Sequence, residues 1–311
     1  MNGQHHGGGL RVLRNSPFAL LQDAGRFGVR HLGVTQGGAL DWISLRWANW
    51  LLGNDLNAAV VEITLGNLSL QCERDGELAL AGADLGATLD GQPLAPWRSF
   101  KVSKGQRLDF AQPRNGARAY LAAPGGFVAE PVLGSRATVA REALGGLHGD
   151  GQALAQGDCL DWPGQAGTPR QIPNGQIPRF TPSPRLELIM GAQIGDFSGQ
   201  SLFDAFNTTW TVDARADRMG VRLNGPQLQC QRSAMVSEGI PLGAVQVPAD
   251  GQPIILLNDR QTIGGYPRLG ALTPQAVARL AQCLPGETLQ FAPSQQSSAQ
   301  QRHRQLLAQW Q

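Results

Sequence analysis

Short stretches in which apolar and polar residues alternate recur along most of this chain, with the two-residue period of half-buried strands. Leu68 to Glu73 and Glu77 to Ala81 alternate in this way, and Leu85 to Leu89 runs directly into Asp90-Gly91. An Asp-Gly pair between such segments predicts a tight hairpin, because both central residues of the favoured turn need positive φ. Arg118 to Ala123 is another predicted strand. Farther on, Leu186 to Met190, Trp210 to Val212 and Pro253 to Leu257 read as strands, and Asp250-Gly251 marks a second hairpin.

Helical periodicity is confined to a few places. Asp41 is placed to cap a helix running to Leu52, with Gly53 as its stop. Ser198 to Phe206 predicts a short helix carrying Leu202, Phe203 and Phe206. Thr273-Pro274 opens a third, with Thr as the cap, Pro in the first turn, and Val277, Leu280, Ala281 and Leu284 facing a core. Pro285-Gly286 ends it. The Gln-rich stretch from Gln295 predicts a loose helix or disorder.

Between Pro163 and Pro184 six prolines and three glycines interrupt every period, which excludes helix and central strand and marks a linker. The predicted organisation is a β-domain over residues 10–165, a linker over 166–184, a second β-domain over 185–293 and a polar tail over 294–311. Two domains also suit 311 residues, since domains of about 100–150 residues are commonest. Asp-Gly-Gln-Pro occurs at both Asp90 to Pro93 and Asp250 to Pro253, a hint of duplication whose uneven offsets are equally explained by shared turn chemistry.

Composition narrows the function. With 40 Gly, 20 Pro and only 16% charged residues, the chain is rich in turn formers and poor in helix formers, which favours a mainly β fold. A net charge of +2 without Lys or Arg clusters argues against a nucleic-acid partner. No apolar run reaches the ~20 residues of a membrane span, and the polar, Gly-rich Met1 to Gly9 is not a signal peptide, so a cytoplasmic location is expected. The four cysteines form no CxxC pair and are expected to be buried, reduced hydrophobes. His5, His6, His31, His148 and His303 offer no metal-ligand spacing, and no metal is expected.

Four segments combine glycine with polar residues densely. They are Gln22 to Gly28 with Gly37 to Asp41, Ala48 to Asp55, Asp217 to Leu223, and Val245 to Pro248 with Asn258 to Arg268. In the last, a strand end at Leu256-Leu257 is followed by Asn258, Asp259, Arg260, Gln261 and Thr262. Gly264-Gly265, Tyr266 and Arg268 come next. Such a lip suits small-molecule contact, and its polar groups are equally suited to tying down the turn itself. Arg218 and Arg222 read either as carboxylate-binding guanidiniums or as an internal ion pair with Asp217. Asp23 and Arg26 read as binding residues or as a pair holding the Gly25 turn. No Gly-x-Ser-x-Gly elbow and no Gly-x-x-x-x-Gly-Lys-Ser/Thr phosphate loop occurs.

Taken in order, several motifs resemble a known family. These are Leu21-Gln22-Asp23-Ala24-Gly25-Arg26, Ala39-Leu40-Asp41, Ala48-Asn49 with Leu52-Gly53-Asn54-Asp55, and Leu133-Gly134-Ser135-Arg136. Asp217-Arg218-Met219-Gly220, Val245-Gln246-Val247-Pro248 and Gln261-Thr262 with Gly264-Gly265-Tyr266-Pro267 follow. The set resembles the biotin-dependent carboxyltransferase family, which includes the C subunit of 5-oxoprolinase and allophanate hydrolase subunit 2-like proteins, over roughly residues 10–292. The chain departs from the family pattern at Ala137, where Ser is usual, and at Asp150, where Arg is common.

The resemblance implies two cyclophilin-like β-barrel domains with a few short helices. It implies a hetero-oligomer with B-like and A-like 5-oxoprolinase partners that uses ATP to open 5-oxo-L-proline to L-glutamate. It also leaves a carboxyltransferase of a urea or amide carboxylase, with biotin carried by a partner, and a non-catalytic partner of a kinase-inhibitor-like protein. Under the oxoprolinase resemblance Asn258, Asp259 and Gln261 are the expected catalytic contacts. Arg218, Arg222, Gln246, Thr262, Tyr266, Arg268, Asp23 and Arg26 are the expected substrate-binding residues.

Overall fold

A computed structural model describes residues 8–165, 170–173, 175–232 and 235–310. His5, His6 and residues 166–169 and 174 of the predicted linker lie outside the described residues. The chain divides into two compact units, one of Met1–Phe27 and Gly37–Phe180, the other of Gly28–Gln36 and Thr181–Gln311. A short N-terminal stretch therefore belongs to the second unit.

The first unit holds two sheets. One runs in the order Cys159–Leu160, Leu10–Arg14, Leu68–Cys72, Arg107–Phe110, Thr88–Leu89, Gln92–Pro93. The other runs Ala19–Gln22, Val60–Thr64, Asn115–Ala122, Gly76–Asp84, Arg98–Val102. Their inward residues share one core, in which Leu10, Leu70 and Phe110 of one sheet join Leu21, Ile63, Leu80 and Leu121 of the other. The alternation seen in the sequence is the source of this core, since alternate residues of a strand face one side. The Asp90-Gly91 hairpin forms as expected: Leu89 pairs with Gln92, and φ is +49° at Asp90 and +78° at Gly91.

Helix α1, Trp42–Leu51, is capped as the sequence predicts. The Asp41 carboxylate accepts from the amides of Ile43 and Ser44 at 3.2 and 3.1 Å and from the Ser44 hydroxyl at 2.6 Å. Leu45, Trp47, Ala48 and Leu51 are its buried face.

The second unit is a closed barrel of Arg185–Met190, Arg268–Leu272, Ala244–Gln246, Ile254–Leu256, Gly220–Asn224, Trp210–Val212 and Thr288–Ser294. Its first and last strands close the ring by parallel pairing, Arg185 opposite Gln290 and Ile189 opposite Ser294. A separate ribbon, Glu238–Gly239 with Ile263–Gly264, stands beside it. Helix α2, Gly199–Asn207, is capped by Ser198, and α3, Pro274–Leu280, by Thr273. Val277, Leu280 and Ala281 of the α3 region are buried as anticipated, whereas Phe203 of α2 is exposed. The Gln-rich tail forms α4, Gln296–Leu307, an ordered helix that buries Ala299 and pairs Arg302 with Glu187 at 2.7 Å.

The mainly β expectation with few helices holds. The cysteine expectation is corrected in part. Cys72 and Cys283 are buried, and burial pushes the Cys72 thiol up to about 11, but Cys159 is exposed on a two-residue edge strand. No helix among the described residues is long and apolar enough to cross a membrane.

Candidate functional site

In the second unit the polar lip of the sequence becomes a loop anchored on both sides. Strand Ile254–Leu256 pairs with Gly220–Asn224, and the pairing continues past its end: the Leu257 amide donates to the Met219 carbonyl, and the Asp259 amide to that of Arg218, both at 2.9 Å. This brings Arg218 and Asp259 together, 41 residues apart in sequence. Their side chains form a two-pronged pair, Nε to Oδ2 at 2.9 Å and Nη2 to Oδ1 at 3.2 Å. Only 16% of the Arg218 side chain and 8% of that of Asp259 is exposed, so water weakens the pair little. Asp217, the acid next to Arg218 in sequence, instead accepts from the amides of Met219 and Gly220 and shapes the turn.

Asn258 and Arg260 are also buried. The Arg260 guanidinium donates from Nε to the Ile240 carbonyl and from Nη1 to the Leu257 carbonyl, each at 3.1 Å. A second guanidinium reaches the same place from the N-terminal stretch. Arg30 Nη2 donates to the carbonyls of Ile240 at 2.9 Å, Thr262 at 3.0 Å and Gln261 at 3.4 Å. Two cations thus share the Ile240 carbonyl. Burial, and next the charge of Arg30, push the Arg260 guanidinium down to about 9, and burial lowers that of Arg30 as well. Backbone carbonyls disperse these charges, but they are dipoles and not counter-ions. A buried guanidinium with a second, half-buried one beside it is a functional-site signal.

Gln246 and Arg268 lie opposite each other on neighbouring strands. Gln246 is 2% exposed, and its Nε2 has no hydrogen-bond partner among the described residues. Arg268 donates to the Gly239 carbonyl at 3.0 Å and pairs with Glu238, which ties it to the ribbon. Tyr266 is exposed, and Thr262 lends its carbonyl to the Ile240 amide as well as to Arg30.

The structure therefore gathers Asn258, Asp259, Gln261, Thr262 and Arg218 around one loop. Arg222 is placed elsewhere: it pairs with Asp250 at 2.5 Å, at the end of strand Ile254–Leu256 opposite to Asn258. Asp23 and Arg26 lie in the first unit. The Asp23 carboxylate accepts from the Gly25 amide at 2.8 Å, the Ser135 hydroxyl at 2.6 Å and the Arg136 amide at 2.7 Å. Arg26 donates to the carbonyls of Val132 at 3.0 Å and Ala137 at 2.7 Å. Both bind the loop around residues 132–137, and Asp23 also holds the Gly25 amide.

Arg260 and Arg30 join the site without a motif to announce them. Arg260 stands inside the polar lip, where an arginine so soon after two apolar strand residues is a signal of burial. Nothing around Arg30 points to acceptors more than 200 residues away.

Comparison with known proteins fits this architecture. A model of the carboxyltransferase domain, subdomain A and B, matches residues 32–293. The chain is 37% identical over 285 residues to the 5-oxoprolinase C subunit of Escherichia coli (strain K12), covering 91% of this chain and 90% of that protein. It is 36% identical over 295 residues to the 5-oxoprolinase C subunit of Haemophilus influenzae, covering 92% of each. Among solved structures, the urea amidolyase of K. lactis superposes with a TM-score of 0.92 at 26% identity over 99% of this chain. The chain spans only 20% of that much longer protein. With the family model covering most of its length and both barrel and loop motifs in place, the chain belongs to the family of the carboxyltransferase domain, subdomain A and B.

Proposed function

We propose that this chain is the C subunit of an ATP-dependent 5-oxoprolinase, a hydrolase of cyclic amides assembled with B-like and A-like partners in the cytoplasm. The observation that carries the reading is the near end-to-end match to two bacterial proteins named as that subunit, each covered to about its full length. The longer urea amidolyase is matched over a small part of its length.

The chemistry asked of the site is amide recognition. A lactam is a poor electrophile, and water opens it to a free amine and a carboxylate only when charge developing on the carbonyl oxygen is stabilised. ATP hydrolysis by the complex supplies the driving force. On this chain Asn258 and Gln261 are the amide contacts, each able to donate to the lactam oxygen and accept from its N–H. Asp259, held in one orientation by Arg218, accepts a hydrogen bond from the ring N–H and orients the amide. The Arg30–Arg260 pair places positive potential beneath the same loop. Gln246, Thr262, Tyr266 and Arg268 complete the binding region in this reading. Arg222, Asp23 and Arg26, already engaged elsewhere, serve the fold.

The test uses the co-expressed complex. ATP hydrolysis should rise with 5-oxo-L-proline and yield glutamate, and omission of this chain should abolish the stimulation. Asn258→Ala should lower turnover by about a hundredfold with the complex still assembled. An assembled complex indifferent to 5-oxoproline sinks the reading. The likeness to urea amidolyase supports a second reading, carboxyl transfer to a urea-like amide with biotin on a partner. In that case urea with carboxylated biotin, and not 5-oxoproline, is the productive pair.

A further inference from the structure

The outer side of the barrel strands Arg185–Met190 and Arg268–Leu272 is partly covered by α4. The covering is incomplete, and a cavity of about 600 Å³ remains beside the strand ends. Its wall includes Ile189, Met190 and Ala271 from the strands and Ala299 from the helix. The volume lies in the range of small-molecule sites, and the wall is of the usual kind, mostly apolar with a few polar groups.

Those polar groups are one-sided in charge. Arg268, His303 and Arg304 line the cavity, and among the described residues that line it no side chain is acidic. Their charges are not equally available. Arg268 is tied to Glu238, and Arg302, which does not line the cavity, is paired with Glu187. Arg304 is exposed, and among the described residues no ion pair engages it. A guanidinium at the mouth of an apolar cavity favours a ligand with one carboxylate and a compact apolar body. The carboxylate meets the two-pronged donor, and the body displaces water from the apolar wall.

We propose that the cavity under α4 binds a small monocarboxylate of this class, with its anionic group on Arg304 and its apolar body against Ala271 and Ala299. Arg268 is shared with the substrate-binding region proposed above, but none of Asn258, Asp259 or Gln261 lines this cavity, and the test below reads binding at Arg304 and not turnover, so its outcome is separate from that of the oxoprolinase reading. It has two natural sources of ligand, the cyclic substrate of that reading and an unrelated aromatic or branched carboxylate.

The experiment titrates the purified full-length chain with benzoate and with 5-oxo-L-proline, each beside its neutral carboxamide, by calorimetry. Saturable binding of at least one carboxylate is expected, with its amide weaker by about tenfold or more. Arg304→Glu, at an exposed position, should remove that preference. Met190→Glu, which adds an acid from the strand side at a residue 54% exposed, should do the same without touching the helix. If benzoate alone binds, the ligand is a carboxylate other than the substrate. If 5-oxoproline binds, the cavity is a second port for the substrate class. Absence of binding by both carboxylates, equal binding of acid and amide, or unchanged binding in both variants overturns the proposal.

Discussion

Replacing Arg260 with Met isolates the cost of burying that guanidinium beside Arg30. Arg260 is 3% exposed, and burial pushes its guanidinium down to about 9, a penalty of about 5 kcal/mol against the charged form. Its two hydrogen bonds to carbonyls return part of this, about 1.5–3 kcal/mol each for a charged donor. Neither acceptor is orphaned by the change. The Ile240 carbonyl keeps Arg30, and the Leu257 carbonyl keeps the backbone amide of residue 260 at 3.2 Å. Methionine fills much of the same volume and adds about 1.5–3 kcal/mol of apolar burial. The net expectation for Arg260→Met is a gain of about 0.5–5 kcal/mol, which thermal melting reads as a rise in melting temperature.

The pH dependence carries a definite sign. The folded state disfavours the proton, so at neutral pH the penalty is present in full. It fades as pH rises through about 9 towards the ordinary guanidinium range. The gap between variant and parent should be constant from about pH 6 to 8 and narrow above about 9. A melting temperature that falls by several degrees in Arg260→Met, or a gap that widens above about pH 9, refutes the reasoning. Under the oxoprolinase reading the stabilised variant also loses stimulated turnover, the usual exchange of stability for activity at a functional site.

Other outcomes follow from the same geometry. Arg218→Ala and Asp259→Ala should each destabilise the second unit by about 3 kcal/mol, and the double variant by less than the sum, because each single change leaves a charge with its partner gone. Denaturant unfolding of the four proteins measures the coupling, and strict additivity would contradict the pairing. In the first unit, Gly145 has φ +65°, and a Cβ there would stand 2.2 Å from the Ala137 carbonyl oxygen and 2.3 Å from Arg26 Nη2. Gly145→Ala should therefore cost about 2–4 kcal/mol by unfolding, from left-handed strain plus the clash.

Local chemistry was the legible part of this fold. The Asp90-Gly91 turn and the caps Asp41 and Thr273 depend on residues within a few positions of one another, and each forms where the sequence placed it. Barrel closure was legible only through the family resemblance, since it pairs Arg185 with Gln290 and no local signal specifies a partner so far along the chain. The candidate site divides in the same way. The polar loop after Leu257 was visible as a run of amide, acid and guanidinium. Sequence adjacency suggests Asp217 as the ion-pair partner of Arg218. The ladder between strands Gly220–Asn224 and Ile254–Leu256 instead delivers Asp259. Arg30 could not be found by motif because its role is defined by three carbonyls of a distant loop, and carbonyls are present at every residue.

The dependence of the second unit on both a residue near the start of the chain and a strand near residue 290 sets an order of events during synthesis. Arg30 leaves the ribosome some 210 residues before the Ile240 carbonyl that it will grip. At roughly 5–20 residues per second that is a wait of about 10–40 s. The strand Arg185–Met190 waits about 5–20 s for Gln290 to arrive, a wait that overlaps the end of the first. Until then one edge of the nascent sheet has unpaired amides and carbonyls, a surface open to other chains. The rate of translation and the supply of chaperones, as much as the stability of the finished barrel, therefore govern the yield of correctly folded chain.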